Sequence, residues 1–328
     1  PLEQLPRVKI AALPTALEAA PRLGQEIGVQ LFVKRDDNTG LALGGNKARK
    51  LEYLVGEALQ LGADTLITTG MPQSNHCRMT AAAAAKVGFD CHLVLNSEAL
   101  SVRQGNLLLN ELLGAQVHFV GCEDAHLAAA RMQELSAELV SIGRKPYIVP
   151  LGGSSPVGAA AYISAIEELM AQMPASGFDY IVHASGSAGT QAGLLAGVKH
   201  FGLSTKVIGI SVSRPRSRLS REVLELSRAT LLHAGSAAQV EAAEVVVYDD
   251  YVGRGYGLPT EASTAAVQLF ARREGIVLDP VYTAKAAAGL IDLVRRKEIS
   301  AGSRMLFWHT GGMPALFADV ALHWREKA

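Results

Sequence analysis

Leu43-Gly44-Gly45-Asn46-Lys47-Ala48-Arg49-Lys50-Leu51-Glu52 places one lysine where a tight glycine turn becomes a helix. Leu51, Leu54, Val55 and Ala58 recur at helical spacing, which predicts an amphipathic helix beginning close to Lys47. Gly44 and Gly45 permit backbone geometries that other residues resist and let the chain approach a ligand closely. An amine at this position feels the positive end of the helix dipole, which favours its neutral form. Imine chemistry requires a neutral lysine amine. An isolated GGNK reads more readily as a plain turn, a helix start and a solvated basic cluster, so the rest of the chain decides.

Around this stretch, β-type apolar runs alternate with helical patterns. Strands are predicted over 30–34, 65–69, 91–95, 116–120 and 147–149, with helices over 79–87, 106–113 and 124–142 between them. The loop Pro150-Leu151-Gly152-Gly153-Ser154-Ser155-Pro156 marks a crossing between domains. A second series follows, with strands over 180–183, 206–211, 245–248, 276–278 and 305–308 and helices over 191–200, 260–274 and 284–296. Such alternation predicts an α/β fold built on parallel sheet, with ligands bound where the strands' carboxyl ends open into a crevice.

Composition narrows the function. Hydrophobic residues make up 49% of the 328 and charged ones 19%, ordinary for a globular protein with a substantial core. Lys plus Arg balances Asp plus Glu at 31 each, which gives no footing for a nucleic-acid or membrane partner. No apolar run approaches the ~20 residues of a membrane helix. Cys77, Cys91 and Cys122 form neither a disulfide framework nor a metal spacing, and no His/Cys/Asp/Glu cluster suggests a metal. A cytoplasmic protein is expected.

Five further stretches carry chemistry. Ala184-Ser185-Gly186-Ser187-Ala188-Gly189-Thr190 lies between a strand and a helix, where bare N–H groups, hydroxyls and a helix N-terminus form a phosphate cup. It matches neither a Walker loop nor a G-x-G-x-x-G. In Gln73-Ser74-Asn75-His76, Ser74 or Asn75 either caps the next helix or meets a ligand: Asn75 a ring oxygen, Ser74 a substrate carboxylate or a proton. His76 and Arg78 read equally as helix surface. Tyr256 and Tyr282 each sit in a loop before a helix, as proton carriers or as packing. His309-Thr310-Gly311-Gly312 follows the last strand, where a hydroxyl can face a ring edge-on. An imine-forming lysine, a separate phosphate cup and a hydroxyl loop are together what pyridoxal 5'-phosphate demands, with Lys47 for its aldehyde and the Ser185–Thr190 loop for its phosphate.

The chain resembles the tryptophan-synthase-β-like, fold type II pyridoxal-phosphate enzymes. Within them it is similar to the branch holding aminocyclopropane-carboxylate deaminase, D-cysteine desulfhydrase and L-cysteate sulfo-lyase. The motifs that carry the likeness are KRDD at 34–37, GGNKARKLE at 44–52, QSNH at 73–76, GSAGTQAGL at 186–194, YGLP at 256–259, LDPVYTAK at 278–285 and HTGG at 309–312. The resemblance implies two open parallel-sheet, three-layer α/β domains with the cofactor in the cleft between them. Residues 1–47 plus 160–328 would form the larger domain and 48–159 a smaller inserted one, in a homodimer. It further implies that Lys47 bonds the cofactor and that Lys50, with Ser187, Ala188, Gly189 and Thr190, holds its phosphate. Asn75 would serve the ring hydroxyl, Ser74, Asn75, His76 and Tyr282 would line the substrate, and Ser74, Tyr256 and Tyr282 would join Lys47 in catalysis.

Thr283 and Thr310 stand where the cyclopropane deaminases of this branch carry a glutamate and a leucine. A neutral hydroxyl near the ring nitrogen makes a shallower electron sink than a carboxylate. That suits β-elimination, in which the leaving group departs readily, better than opening an unactivated ring. The expectation is a lyase converting D-cysteine to pyruvate, ammonia and sulfide, with L-cysteate and sulfite as the alternative. The short run over 96–104 borders the entrance in this reading.

Overall fold

The computed structural model describes residues 2–318. A short strand β1 (Leu17–Ala19) and helix α1 (Pro21–Ile27) precede β2 (Gln30–Lys34) and α2 (Lys47–Gln60). The chain continues through β3 (Thr65–Gly70), α3 (Asn75–Val87), β4 (Asp90–Leu95), α4 (Gly105–Leu112), β5 (Gln116–Phe119), α5 (Ala125–Ser141) and β6 (Pro146–Ile148). Helix α6 (Pro156–Gln172) then leads to β7 (Tyr180–Ser185), α7 (Gly189–His200), β8 (Lys206–Ser211), α8 (Arg216–His233) and β9 (Val246–Tyr248). Helices α9 (Glu261–Glu274) and α10 (Thr283–Arg295) and strand β10 (Arg304–Trp308) complete the order.

The strands form two sheets. One runs β1-β2-β10-β7-β8-β9, parallel except for β1, and the other runs β5-β4-β3-β6, parallel throughout. Period-two alternation sorts each strand between two cores, as both faces of a parallel sheet require. Val182 and Phe307 join Leu23, Phe270 and Leu290 on the α1/α9/α10 side, while Ile181 and Leu306 join Tyr162, Ile166 and Leu194 on the α6/α7 side. In the smaller sheet Leu66 and Leu93 pack on α2, α3 and α4, whereas Ile67 and Val94 meet Met132 and Leu135 of α5. Two three-layer α/β units result.

Helix α2 is tied to the larger sheet by a buried charge cluster. Asp36 accepts from Arg49 Nε and Nη2, at 2.9 and 2.8 Å, and from Thr15 Oγ1, Tyr162 Oη and Trp308 Nε1. Arg49 also reaches Glu168 of α6 at 2.8 Å. Burial would raise the Glu168 carboxyl, but hydrogen bonds and charge from Arg49, then Lys34, hold it down at about 2. The KRDD run therefore anchors the helix that begins with Lys47.

Three sequence expectations differ from the structure. Residues 276–278 are not a strand: Ile276 and Leu278 are buried in the core as loop, with Ile276 N bonded to Phe270 O and Val277 O to His309 Nε2. Helix α6 went unread because it is apolar on nearly every side, packed between α2 and α7, so no amphipathic stripe marks it. Its start also shows that the 150–156 loop is more than a crossing. Helix α8 hides for the opposite reason, since charged and hydroxyl residues interrupt the apolar ones throughout RSRLSREVLELSRATLLH.

Among the described residues, no helix is long and apolar enough to cross a membrane.

Candidate active site

The carboxyl ends of β2, β3, β7 and β10 open toward one another, and a cleft lies there. Its walls include Asn46, Lys47, Ser74, Asn75, His76, Asn96, Gly152, Ser185, Ser187, Ala188, Thr190, Arg214, Tyr256, Tyr282 and Thr310. Pairing of Trp308 with Lys34 on one side and His183 on the other brings the exits of β2, β10 and β7 level.

Lys47 is the first residue of α2, as its sequence position implies. The turn before it needs glycine: Gly44 has φ +71°, and a Cβ there would lie 1.8 Å from Asp37 O. Burial pushes the Lys47 amine down to about 8, the same direction expected of an amine at a helix start. Among the described residues its amine makes no hydrogen bond or ion pair.

The anion cup is assembled from three segments. Ala188 stands at φ +66°, and Gly189 N donates to Ser187 O at 2.8 Å, a γ-turn of the rare positive-φ form. Strain of this kind, about 1–3 kcal/mol, gathers at ligand clamps. Ser154 Oγ donates to Ser187 Oγ at 2.9 Å and accepts from Gly189 N at 3.3 Å. Asn46 Nδ2 donates to Thr190 Oγ1 at 3.0 Å. Lys50 is fully buried and donates to Gly152 O at 3.1 Å; burial, then the neighbouring Lys47, pushes its pKa well below the usual lysine range. A Cβ on Gly189 would stand 2.5 Å from Ser154 Oγ and 2.7 Å from Lys50 Nζ. Gly152 and Ser154 are among the site residues that sequence reasoning missed, with Asn46, Asn96 and Arg214. For Gly152 and Ser154 the signal was present, a glycine pair and serines ahead of a helix N-terminus, the same grammar as 185–190.

On the opposite wall Ser74 caps α3, accepting from Cys77 N at 3.2 Å, and also lines the cleft, so its two readings coexist. Asn75 Oδ1 accepts from Arg78 Nη1 at 3.1 Å and Asn106 Nδ2 at 2.9 Å, which leaves its amide N–H groups for the cleft. His76 and Arg78 are buried rather than helix surface. Thr68 Oγ1 donates to Val149 O and is shared by His76 Nε2 at 2.8 Å. Burial, then Lys47 and Lys50, push the His76 pKa far down, so that imidazole is neutral.

Tyr256 and Tyr282 meet edge to face and share a hydroxyl–hydroxyl hydrogen bond. Desolvation raises the Tyr282 hydroxyl well above its ordinary value and that of the part-exposed Tyr256 in the same direction, so both stay protonated. Thr310 lines the cleft. Thr283 does not: its hydroxyl donates to Asp279 Oδ1 at 2.7 Å, and Asp279 caps α10 through the N–H groups of Val281, Tyr282 and Thr283.

Chemically, this is a depressed lysine amine at one end of a cleft and a lysine-backed N–H and hydroxyl cup at the other. Ser185 Oγ, buried and without a hydrogen-bond partner among the described residues, adds a donor on the cup's strand. The set fits an aromatic aldehyde that carries a phosphate. Among the described residues no group of three or more His, Cys, Asp or Glu is placed to hold a metal ion.

Comparisons with known proteins agree with the chemistry. The profile of the pyridoxal-phosphate dependent enzymes matches residues 8–311. A D-cysteine desulfhydrase of Salmonella typhi is 43% identical over 323 residues, 97% of each chain. The crystal structure of an ACC deaminase homologue is 38% identical, with a TM-score of 0.91 over 99% of this chain and 96% of that one. A threonine deaminase of Solanum lycopersicum, 17% identical, has a TM-score of 0.65 over 95% of this chain and 81% of that one, which is likeness of fold.

Proposed function

This chain belongs to the pyridoxal-phosphate dependent enzymes, and on that premise we propose that it is a lyase eliminating the β-substituent of D-cysteine. The likeness to D-cysteine desulfhydrase along 97% of each chain carries the substrate. Cleft charge supports it. The guanidinium on the wall, Arg214, is paired with Glu222, and His76 is neutral, so little free positive charge faces a leaving group. A thiol suits such a wall better than a permanently ionised sulfonate, which needs unpaired cations. L-Cysteate is the second reading, favoured by Arg214 should a sulfonate compete with Glu222.

The bound cofactor supplies an electron sink for the pair left at the substrate Cα. Lys47 is assigned to the cofactor's aldehyde carbon and then to the Cα proton, which its depressed amine can hold. Lys50 and the Ser187–Thr190 turn are assigned to the phosphate, the Asn75 amide to the ring oxygen and Thr310 to the ring nitrogen. Thr283, with its hydroxyl spent on Asp279, is assigned to positioning α10 rather than to contact. Ser74 stands beside the substrate carboxylate. The Tyr256–Tyr282 hydroxyl pair delivers a proton to the departing sulfur as the Cβ–S bond breaks. With one water, D-cysteine then gives pyruvate, ammonia and hydrogen sulfide.

Purified holoenzyme is expected to release sulfide and pyruvate from D-cysteine. Sulfite from L-cysteate in place of sulfide would move the assignment to the sulfonate, and turnover of neither would overturn elimination. Cofactor uptake by the apo-protein is expected to speed up with rising pH and level off above about 8, because only the neutral Lys47 amine adds to a carbonyl. A profile that stays flat through that pH contradicts the role of Lys47.

We further propose a homodimer, checked by sedimentation equilibrium, and a reducing cytoplasmic setting, supported by free Cys77, Cys91 and Cys122. Residues 48–159 are assigned to the smaller unit and 1–47 plus 160–328 to the larger, since the four-stranded sheet lies wholly within the former span.

A further inference from the structure

Arg78 is fully buried, yet among the described residues it meets no carboxylate. An arginine in the interior without a counter-ion is costly, and its neighbours have to hydrogen-bond it to make it tolerable. Each guanidinium arm is used differently. Nη1 donates to Asn75 Oδ1 at 3.1 Å and to Asn106 Oδ1 at 2.7 Å, while Nη2 donates to Gly44 O at 2.6 Å. Burial holds its pKa down, at about 10, so it remains charged at neutral pH.

These partners belong to separate segments that build the cleft, of which Asn75 lines it. Asn75 lies on the α3 wall, and Gly44 belongs to the turn that delivers Lys47. Asn106, at the start of α4, completes the circuit: its Nδ2 donates to Asn75 Oδ1 at 2.9 Å and to Gln73 O at 2.8 Å, and its N–H donates to Gln73 Oε1. With both donors aimed at Oδ1, the Asn75 amide has one orientation, carbonyl inward and NH2 toward the cleft. Arg78 itself does not line the cleft.

We propose that Arg78, supported by Asn106 and anchored by its bond to Gly44 O, is a positioning residue that locks the Asn75 amide in its donor orientation toward the cofactor. The proposal rests on the assignment of Asn75 above. A lysine cannot replace the guanidinium, since one ammonium on a flexible stem does not span Asn75, Asn106 and Gly44 in a fixed plane.

The test is the affinity of the apo-protein for pyridoxal phosphate, measured by fluorescence titration for Asn75→Ala, Arg78→Met, Arg78→Lys and Asn106→Ala and for each paired with Asn75→Ala. Arg78→Met is expected to weaken binding on the order of tenfold, as for the loss of one charge-assisted hydrogen bond. Arg78→Lys should fall between it and the parent. In the Asn75→Ala background most of that loss should vanish, because the amide being oriented is gone. Arg78 losses that stay undiminished in that background overturn the positioning role while leaving Asn75 intact. An Asn75→Ala protein that binds as tightly as the parent overturns both assignments. Should Arg78→Met fail to fold, Asn106→Ala carries the same test, since it removes one of the two donors on Oδ1 and leaves the buried charge in place. Its expected loss is about threefold, the smaller share of one neutral hydrogen bond. No loss, or one that persists without Asn75, counts against the proposal.

Discussion

Lys47→Ala is expected to lower turnover of D-cysteine by ~10³-fold or more, since one amine both bonds the cofactor and carries the proton. The cleft offers no substitute. Lys50, nearest in sequence, is fully buried and donates to Gly152 O at the cup end. The variant's fold should survive, because the Lys47 amine makes no hydrogen bond or ion pair among the described residues and alanine is a good residue in a first helical turn. The checks are pyruvate release, the visible absorbance of protein mixed with pyridoxal phosphate, and thermal melting as the folding control. A variant that keeps the parent's cofactor absorbance and a large part of its activity would remove Lys47 from the centre of the site.

The second large effect is on stability. Asp36→Ala is expected to cost roughly 3–5 kcal/mol, the range seen when one partner of a buried ion pair is removed. Asp36 gathers donors from Thr15, Arg49, Tyr162 and Trp308, and the alanine leaves the buried Arg49 with Glu168 as its one carboxylate partner, beside Thr15 Oγ1. The loss reaches the site as well, because Arg49 sits two residues after Lys47 on α2. Glu26→Ala offers the contrast: its pair with Arg273 lies exposed and is worth about 0–1 kcal/mol. Urea unfolding of the two variants measures the difference, and near-equal midpoints would dismiss the cluster as an anchor.

Much of the site was legible in sequence because its pieces are local. Gly44-Gly45 before Lys47, and Ser187-Ala188-Gly189-Thr190 between a strand and a helix, are short-range grammar, and both hold in the structure as turn-to-helix junctions. Whether Arg78 and His76 lay on the helix surface stayed open in sequence, because a helix start with few neighbours known offers no evidence of what will cover it. Gly152 and Ser154 were read as a crossing, since their partners Lys50, Ser187 and Gly189 lie up to about a hundred residues away along the chain. Thr283 shows the reverse error. Its place after Tyr282 suggested contact, and only the path of α10 turned its hydroxyl to Asp279.

By itself, then, the order of residues determined that strands alternate with helices, that a lysine opens one helix and that an N–H cup opens another. Those features depend on periodicity, turn chemistry and residues adjacent in the chain. Tertiary structure alone decided that α6 packs behind the cup, that burial sets the Lys47 amine, and that Arg78 stands without a carboxylate between Asn75 and the lysine turn. Desolvation and hydrogen-bond partnership belong to neighbours brought together across 28 to 34 positions of chain, and no local pattern records them.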